Sequence, residues 1–178
     1  RSARMRALLA QLLSASRFDV VVCDFLTSAV NLPRIEESVL FQHNLETLLW
    51  ERLAASAGDP LRRAYFRLQA GRMFRYERQV CRRARHVMAV SEADAGRLRD
   101  RFGLAQVSVV PTGVDVEFFQ PPPEPPASGG DLVFVGSMDY LPNVDAVEYF
   151  AREILPLIRR RWPQCRFTVV GRKPRPSV

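Results

Sequence analysis

This chain is nearly without lysine: Lys173 is the only one, although lysine and arginine together number 26. Arginine therefore carries almost all of the charge behind a formal net charge of +7 and a sequence pI of about 10.1. Its planar fork suits phosphate and pyrophosphate groups, although a general compositional bias accounts for the same excess. Cysteine is scarce too. Cys23, Cys81 and Cys165 are odd in number, far apart and without metal-ligand spacing. That excludes a disulfide scaffold or a zinc cluster and predicts reduced thiols of a cytosolic protein. No uninterrupted apolar run approaches the ~20 residues of a membrane span. Neither a signal peptide nor an internal repeat is visible. The chain opens on Arg1 and stops shortly after a strand-like run, which predicts a piece of a longer protein.

What is present is enough for one substantial core, or one core and part of another: 178 residues, 47% hydrophobic. Residues 107–137 organise the rest. The apolar run Val107 to Val110 ends at Pro111-Thr112-Gly113, a tract rich in proline and glycine follows from Pro121 to Gly130, and a second apolar run, Leu132 to Val135, ends at Gly136-Ser137. Proline favours extended, semi-rigid backbone, and Ser128-Gly129-Gly130 adds a joint. This predicts strand, linker, strand, with one α/β folding unit ending and another beginning.

Elsewhere apolar spacing predicts helices over 3–15, 45–57 and 61–84, the last with nine arginines in residues 61–85. Continuous apolar runs predict strands at 18–23, 38–42 and 86–90, the first of them buried on both faces. Ser91 is suited to cap a helix that Gly103 ends. In the second unit, Asn143 or Asp145 caps a helix with Val144, Val147, Ala151, Ile154, Leu155 and Ile158 on one face, and Pro156 kinks it. A strand over 167–170 closes the chain. Strands alternating with helices predict a parallel sheet covered on both faces.

Ligands of such sheets bind beyond the carboxyl ends of the strands. Those positions are Asp24, His43-Asn44, Ser91-Glu92, Pro111-Thr112-Gly113, Gly136-Ser137 and Gly171-Arg172, and two such edges facing one another across the linker would form a cleft. His43, with Asn44 and Glu46 near it, suits a bond to a sugar hydroxyl or phosphate, or proton transfer; a bond to nearby backbone is the alternative. Gly136 and Gly171 let backbone approach a ligand, or serve as strand-end turns. Arg172 suits a diphosphate, or lies solvated on the surface. Asp24 and Glu46 are acid, base or ribose-binding candidates, or carboxylates at helix starts. Ser91 has no visible base partner, which favours its capping role over nucleophilic catalysis. The arginine-rich helix suits an anionic membrane surface, or a charged outer face.

Five ordered segments, FQHNLE (41–46), AVSEADA (89–95), VVPTGVD (109–115), FVGSMDYLPNVDAV (134–147) and VVGR (169–172), resemble glycosyltransferases of group 1, also called family 4, and most of all the sugar transferases of exopolysaccharide pathways. The resemblance implies an α/β GT-B fold of two Rossmann-like, doubly wound parallel-sheet domains, both incomplete here. Residues 1–112 would close the acceptor domain, 113–130 would link, and 131–178 would begin the donor domain. It implies transfer of a sugar from a nucleotide sugar to a polysaccharide or lipid-linked acceptor, with retention and without metal or other cofactor. His43 would meet the donor sugar, with Gly136, Ser137, Gly171 and Arg172 on the donor side and Asn44, Glu46 and Ser91 on the acceptor side or in the cleft. The expected place is the cytoplasm, with peripheral contact at the inner face of the plasma membrane as the option that the basic helix suits, and no nucleic-acid partner is expected. Many members carry an arginine after the loop glycine and a lysine a few residues later; here Ser137 takes the first place and residues 141–144 hold no lysine. The family's glycine-rich loop and paired glutamates fall outside the chain, so the 178 residues alone are expected to be inactive. An epimerase of the same fold and a non-catalytic phosphate-binding module are the competing expectations.

Overall fold

The computed structural model describes residues 2–121 and 130–174. The expected polyproline conformation of the tract between them lies outside the described residues. The chain divides into two compact units, Arg1–Val114 and Asp115–Val178.

Unit 1 is an α/β layer built on four parallel strands in the order β1 (Val22–Asp24), β2 (Val39–Gln42), β3 (His86–Ala89) and β4 (Ser108–Val109). The helices are α1 (Ala3–Ala15), α2 (Glu46–Ser56), α3 (Pro60–Arg83) and α4 (Glu92–Phe102), and a 3-10 segment, Leu26–Asn31, follows β1. Strand alternation sorts the core. Cys23, Leu40, Val87 and Ala89 turn to one side and pack with Val80, Leu98 and Phe102. The core ends of α4 are fixed by its caps: the Ser91 hydroxyl accepts from the Asp94 amide, and Gly103 takes the left-handed conformation at φ 65°.

Several expectations need correction. The run 18–23 is strand only from Val22, and it is not buried on both faces: Phe18, Val20 and Val22 are exposed, and in β1 only the face that bears Cys23 is packed among the described residues. No residue of α1 is buried. On α3 the buried stripe is Ala70, Glu77, Val80 and Cys81, while Leu61, Tyr65 and Leu68, earlier in the helix, are exposed.

Unit 2 pairs β5 (Leu132–Val135) with β6 (Phe167–Val170) in parallel, joined through α5 (Leu141–Tyr149), a π-helical turn (Phe150–Ile154) and α6 (Leu155–Arg161). The N-cap position of α5 is Tyr140, without a side-chain cap bond, and not Asn143 or Asp145. Asn143 Nδ2 instead donates to the Ser137 carbonyl. Pro156 stands in the first turn of α6, where its missing N–H costs nothing, and the wide turn before it shifts the phase of the helix. Ala151 is therefore exposed while Val144, Val147 and Leu155 are buried. Among the described residues the sheet of this unit is covered on one face only: Val133, Val135 and Val170 are exposed.

Candidate functional site

Parallel pairing brings the carboxyl ends of β1 to β4 to one edge of unit 1. Asp24 is level with Phe41, and His43 lies two residues beyond Phe41, on the same side by the period of a strand. The chain then departs from ordinary geometry. Phe25 has φ 64° and ψ 141°, a region close to exclusive to glycine, at a cost of about 1–3 kcal/mol. Its amide still donates to the Phe41 carbonyl at 3.1 Å, extending the ladder by one bond.

The strained residue turns its ring onto His43. The two ring planes are 13° apart with centroids 4.1 Å from each other, and Phe41 tilts against the imidazole at 4.6 Å. His43 Nε2 lies 2.7 Å from Asp24 Oδ1. An aromatic pair of this kind contributes about 0.5–1.5 kcal/mol, of the order of the strain it accompanies. Burial of the neighbouring Leu26, 1% exposed, adds to the compensation. The imidazole keeps 32% of its side-chain surface and Asp24 59%, so the pair is open to a ligand.

Beneath this rim sits a buried carboxylate. Glu77 of α3, 0% exposed, accepts from Gln42 Nε2 (3.0 Å) and the Glu46 amide (2.9 Å) through Oε1. Its Oε2 accepts from the Thr47 amide (2.9 Å) and hydroxyl (2.5 Å). Leu45, at the N-cap position of α2, supplies no side-chain bond, so Glu77 caps that helix from a neighbouring one. The helix dipole and four donors offset the cost of burying the charge. The turn 43–45 is thereby held between β2 and a helix start that is fixed from below. Sequence reasoning missed both Phe25 and Glu77. A positive φ at phenylalanine leaves no trace in sequence. Glu77 did leave one, as the single acid of the helix Pro60–Arg83 among its arginines.

The other candidates of the first unit have surroundings of their own. Asn44 is exposed. Partial burial, and then the charge of Glu77, raise the Glu46 carboxyl above its usual range. The Ser91 hydroxyl donates to Asp94 Oδ2 at 2.7 Å while accepting from the Asp94 amide.

At the carboxyl edge of unit 2 the Gly136 amide donates to the Val170 carbonyl, and the Met138 amide to that of Arg172. A Cβ at Gly171 would overlap the Gly136 carbonyl oxygen, so the close approach that requires glycine here is to the neighbouring strand. Arg172 Nε donates to Ser137 Oγ (2.8 Å), which donates to Asp139 Oδ1 (2.6 Å), and Lys173 Nζ lies 3.3 Å from Asp139 Oδ2. The Ser137 hydroxyl, and then Lys173, hold the Asp139 carboxyl below its usual range. Ser137 and Arg172 are thus brought together, and Gly136 with Gly171.

Among the described residues no helix is long and apolar enough to cross a membrane. A search of curated proteins returns no match to the chain. The family model of Glycosyltransferase Family 4 matches residues 1–118, which takes in all of unit 1 and with it Asp24, Phe25, His43 and Glu77. The chain belongs to Glycosyltransferase Family 4.

Proposed function

We propose that this chain is part of a transferase that moves a sugar from a nucleotide-sugar donor to a polysaccharide or lipid-linked acceptor, with retention at the anomeric carbon and without a metal. The observation that carries this reading is His43, stacked on Phe25 and bonded to Asp24 at the carboxyl edge of a parallel sheet, where α/β enzymes bind their ligands. His43 takes the donor sugar near the reacting carbon. Residues 1–112 serve the acceptor side, 113–130 link, and 131–178 begin the donor side. There Gly136, Ser137, Gly171 and Arg172 receive the diphosphate, with Arg172 and Lys173 supplying positive charge. Asn44, Glu46 and Ser91 line the acceptor side.

A place at the inner face of the plasma membrane is supported by α3. Arg62, Arg63, Arg67 and Arg72 are exposed on it beside exposed Leu61, Tyr65 and Leu68, a combination suited to anionic lipid and to an exopolysaccharide acceptor on a lipid carrier. The test is turnover of nucleotide sugars by the full-length protein and by its His43→Ala variant. The variant is expected to fold as wild type and to lose most turnover; unchanged turnover removes His43 from the reaction.

A further inference from the structure

Neutral imidazole has one donor and one acceptor nitrogen, and which is which is set by its partners. Asp24 is a carboxylate, so the 2.7 Å contact requires the proton on Nε2, which donates to Oδ1. Nδ1 is left with a lone pair, and no described residue hydrogen-bonds it. Stacking on Phe25 and the tilted contact with Phe41 hold the plane of the ring, and within that plane the Asp24 contact selects the orientation with Nε2 toward the carboxylate. Phe25 reaches that position only through backbone at φ 64°, and it directly follows Asp24. One short peptide thus supplies both the acceptor that selects the tautomer and the plate that holds the plane.

We propose that Asp24 and Phe25 are positioning residues that lock His43 with its proton on Nε2, so that Nδ1 is offered as an acceptor to a hydroxyl of the bound sugar and not as a donor to phosphate oxygen. The choice of ligand group rests on the function proposed above; the locking does not. A lone pair at this point repels phosphate oxygens, which carry no proton, and bonds any sugar hydroxyl within reach. Asp24 touches no reacting atom in this scheme and acts through His43.

The 178 residues hold two histidines, and single His43→Gln and His86→Gln variants assign their ring-nitrogen signals in the full-length protein. His86, bonded to Ser108 Oγ at 2.8 Å, is the internal reference. In its neutral form His43 is expected as the Nε2–H tautomer. Asp24→Ala is expected to give a tautomer mixture with the His86 signals unmoved, and Phe25→Gly a ring averaging between orientations. A His43 that carries its proton on Nδ1 in the wild type, or an unchanged tautomer in Asp24→Ala, overturns the locking. In the second arm, UDP-glucose and GDP-mannose are compared with bare UDP and GDP. A shift at His43 Nδ1 with a sugar-bearing nucleotide and none with the bare ones is expected. An equal shift with the bare ones, or none with either, overturns the hydroxyl assignment while leaving the locking to the first arm. Asp24→Ala is further expected to lower kcat/KM on the order of 10–100-fold, the size of effect seen when the partner that orients a metal-bound histidine is lost.

Discussion

Phe25 stands where glycine would be cheaper. A phenylalanine at φ 64° is retained with its ring on an imidazole, which places the strain at the residue that orients His43. Two substitutions separate backbone from ring. Phe25→Ala loses the stack and keeps a Cβ in the strained conformation; Phe25→Gly loses the stack and relieves it. The glycine variant is expected to be the more stable of the two by about 1 kcal/mol in urea denaturation. Equal stabilities would mean that the backbone at residue 25 relaxes once the ring is gone. Legibility at this scale was uneven. His43 and Asp24 were visible because residues that end strands in a parallel sheet share an edge, a rule of topology alone. Phe25 was not, because no local propensity places phenylalanine there; the conformation is imposed by Leu26 going into the core and by the bond to Phe41.

At the scale of the element, α2 carries two carboxylates with opposite tendencies. Burial, and then the charge of Glu77, raise Glu46, whereas hydrogen bonding to Arg101 holds Glu51 below the usual range. A raised carboxyl favours the fold at low pH and ceases to do so as pH rises through its folded value; a lowered one favours the fold at high pH and ceases to do so as pH falls through its own. Glu46→Gln is therefore expected to stabilise the protein at neutral pH, with the gain vanishing below the ordinary value of 4.5. Glu51→Gln is expected to destabilise it at neutral pH, with the loss vanishing in acid. Melting curves across pH 3–8, a span chosen to cover the usual carboxylate range, check both signs. Element existence was legible here because each helix shows its apolar period over many residues. Burial was less so. The buried side of α3 is chosen by what packs on it from residue 70 onward, and its period alone does not say that Leu61 and Tyr65 lie outside that contact. The helix of unit 2 read as one period across Pro156 because a π turn, which shifts the phase by a residue, has no marker in composition.

At the scale of the molecule, the three cysteines report on the two units separately. Cys23 and Cys81 are buried in unit 1, and Cys165 in unit 2. Burial, and then the Asp24 charge, push the Cys23 thiol up to about 11; burial, and then the Glu77 charge, push Cys81 to about 12. Neither forms appreciable thiolate at neutral pH while folded. Alkylation by iodoacetamide along a denaturant gradient is expected to label Cys23 and Cys81 together, at one midpoint, and Cys165 at a midpoint of its own. A common midpoint for all three would mean that the units unfold as one. The α/β class and parallel strands were legible from the alternation of runs. The open face of β5 and β6 was not, since Val133, Val135 and Val170 read as core in any strand pattern.

The carboxylate of Glu77 has a further consequence. The first amides of a helix ordinarily face water and trade their hydrogens for deuterium within the earliest time points. Those of Glu46 and Thr47 are clasped from below by an oxygen pair on another helix, and they cannot open unless α3 lifts away. They are expected to retain hydrogen as long as the innermost strands do, and to lose it early in Glu77→Gln. The turn bearing the imidazole would then be among the last parts of this unit to loosen, although it lies at the rim.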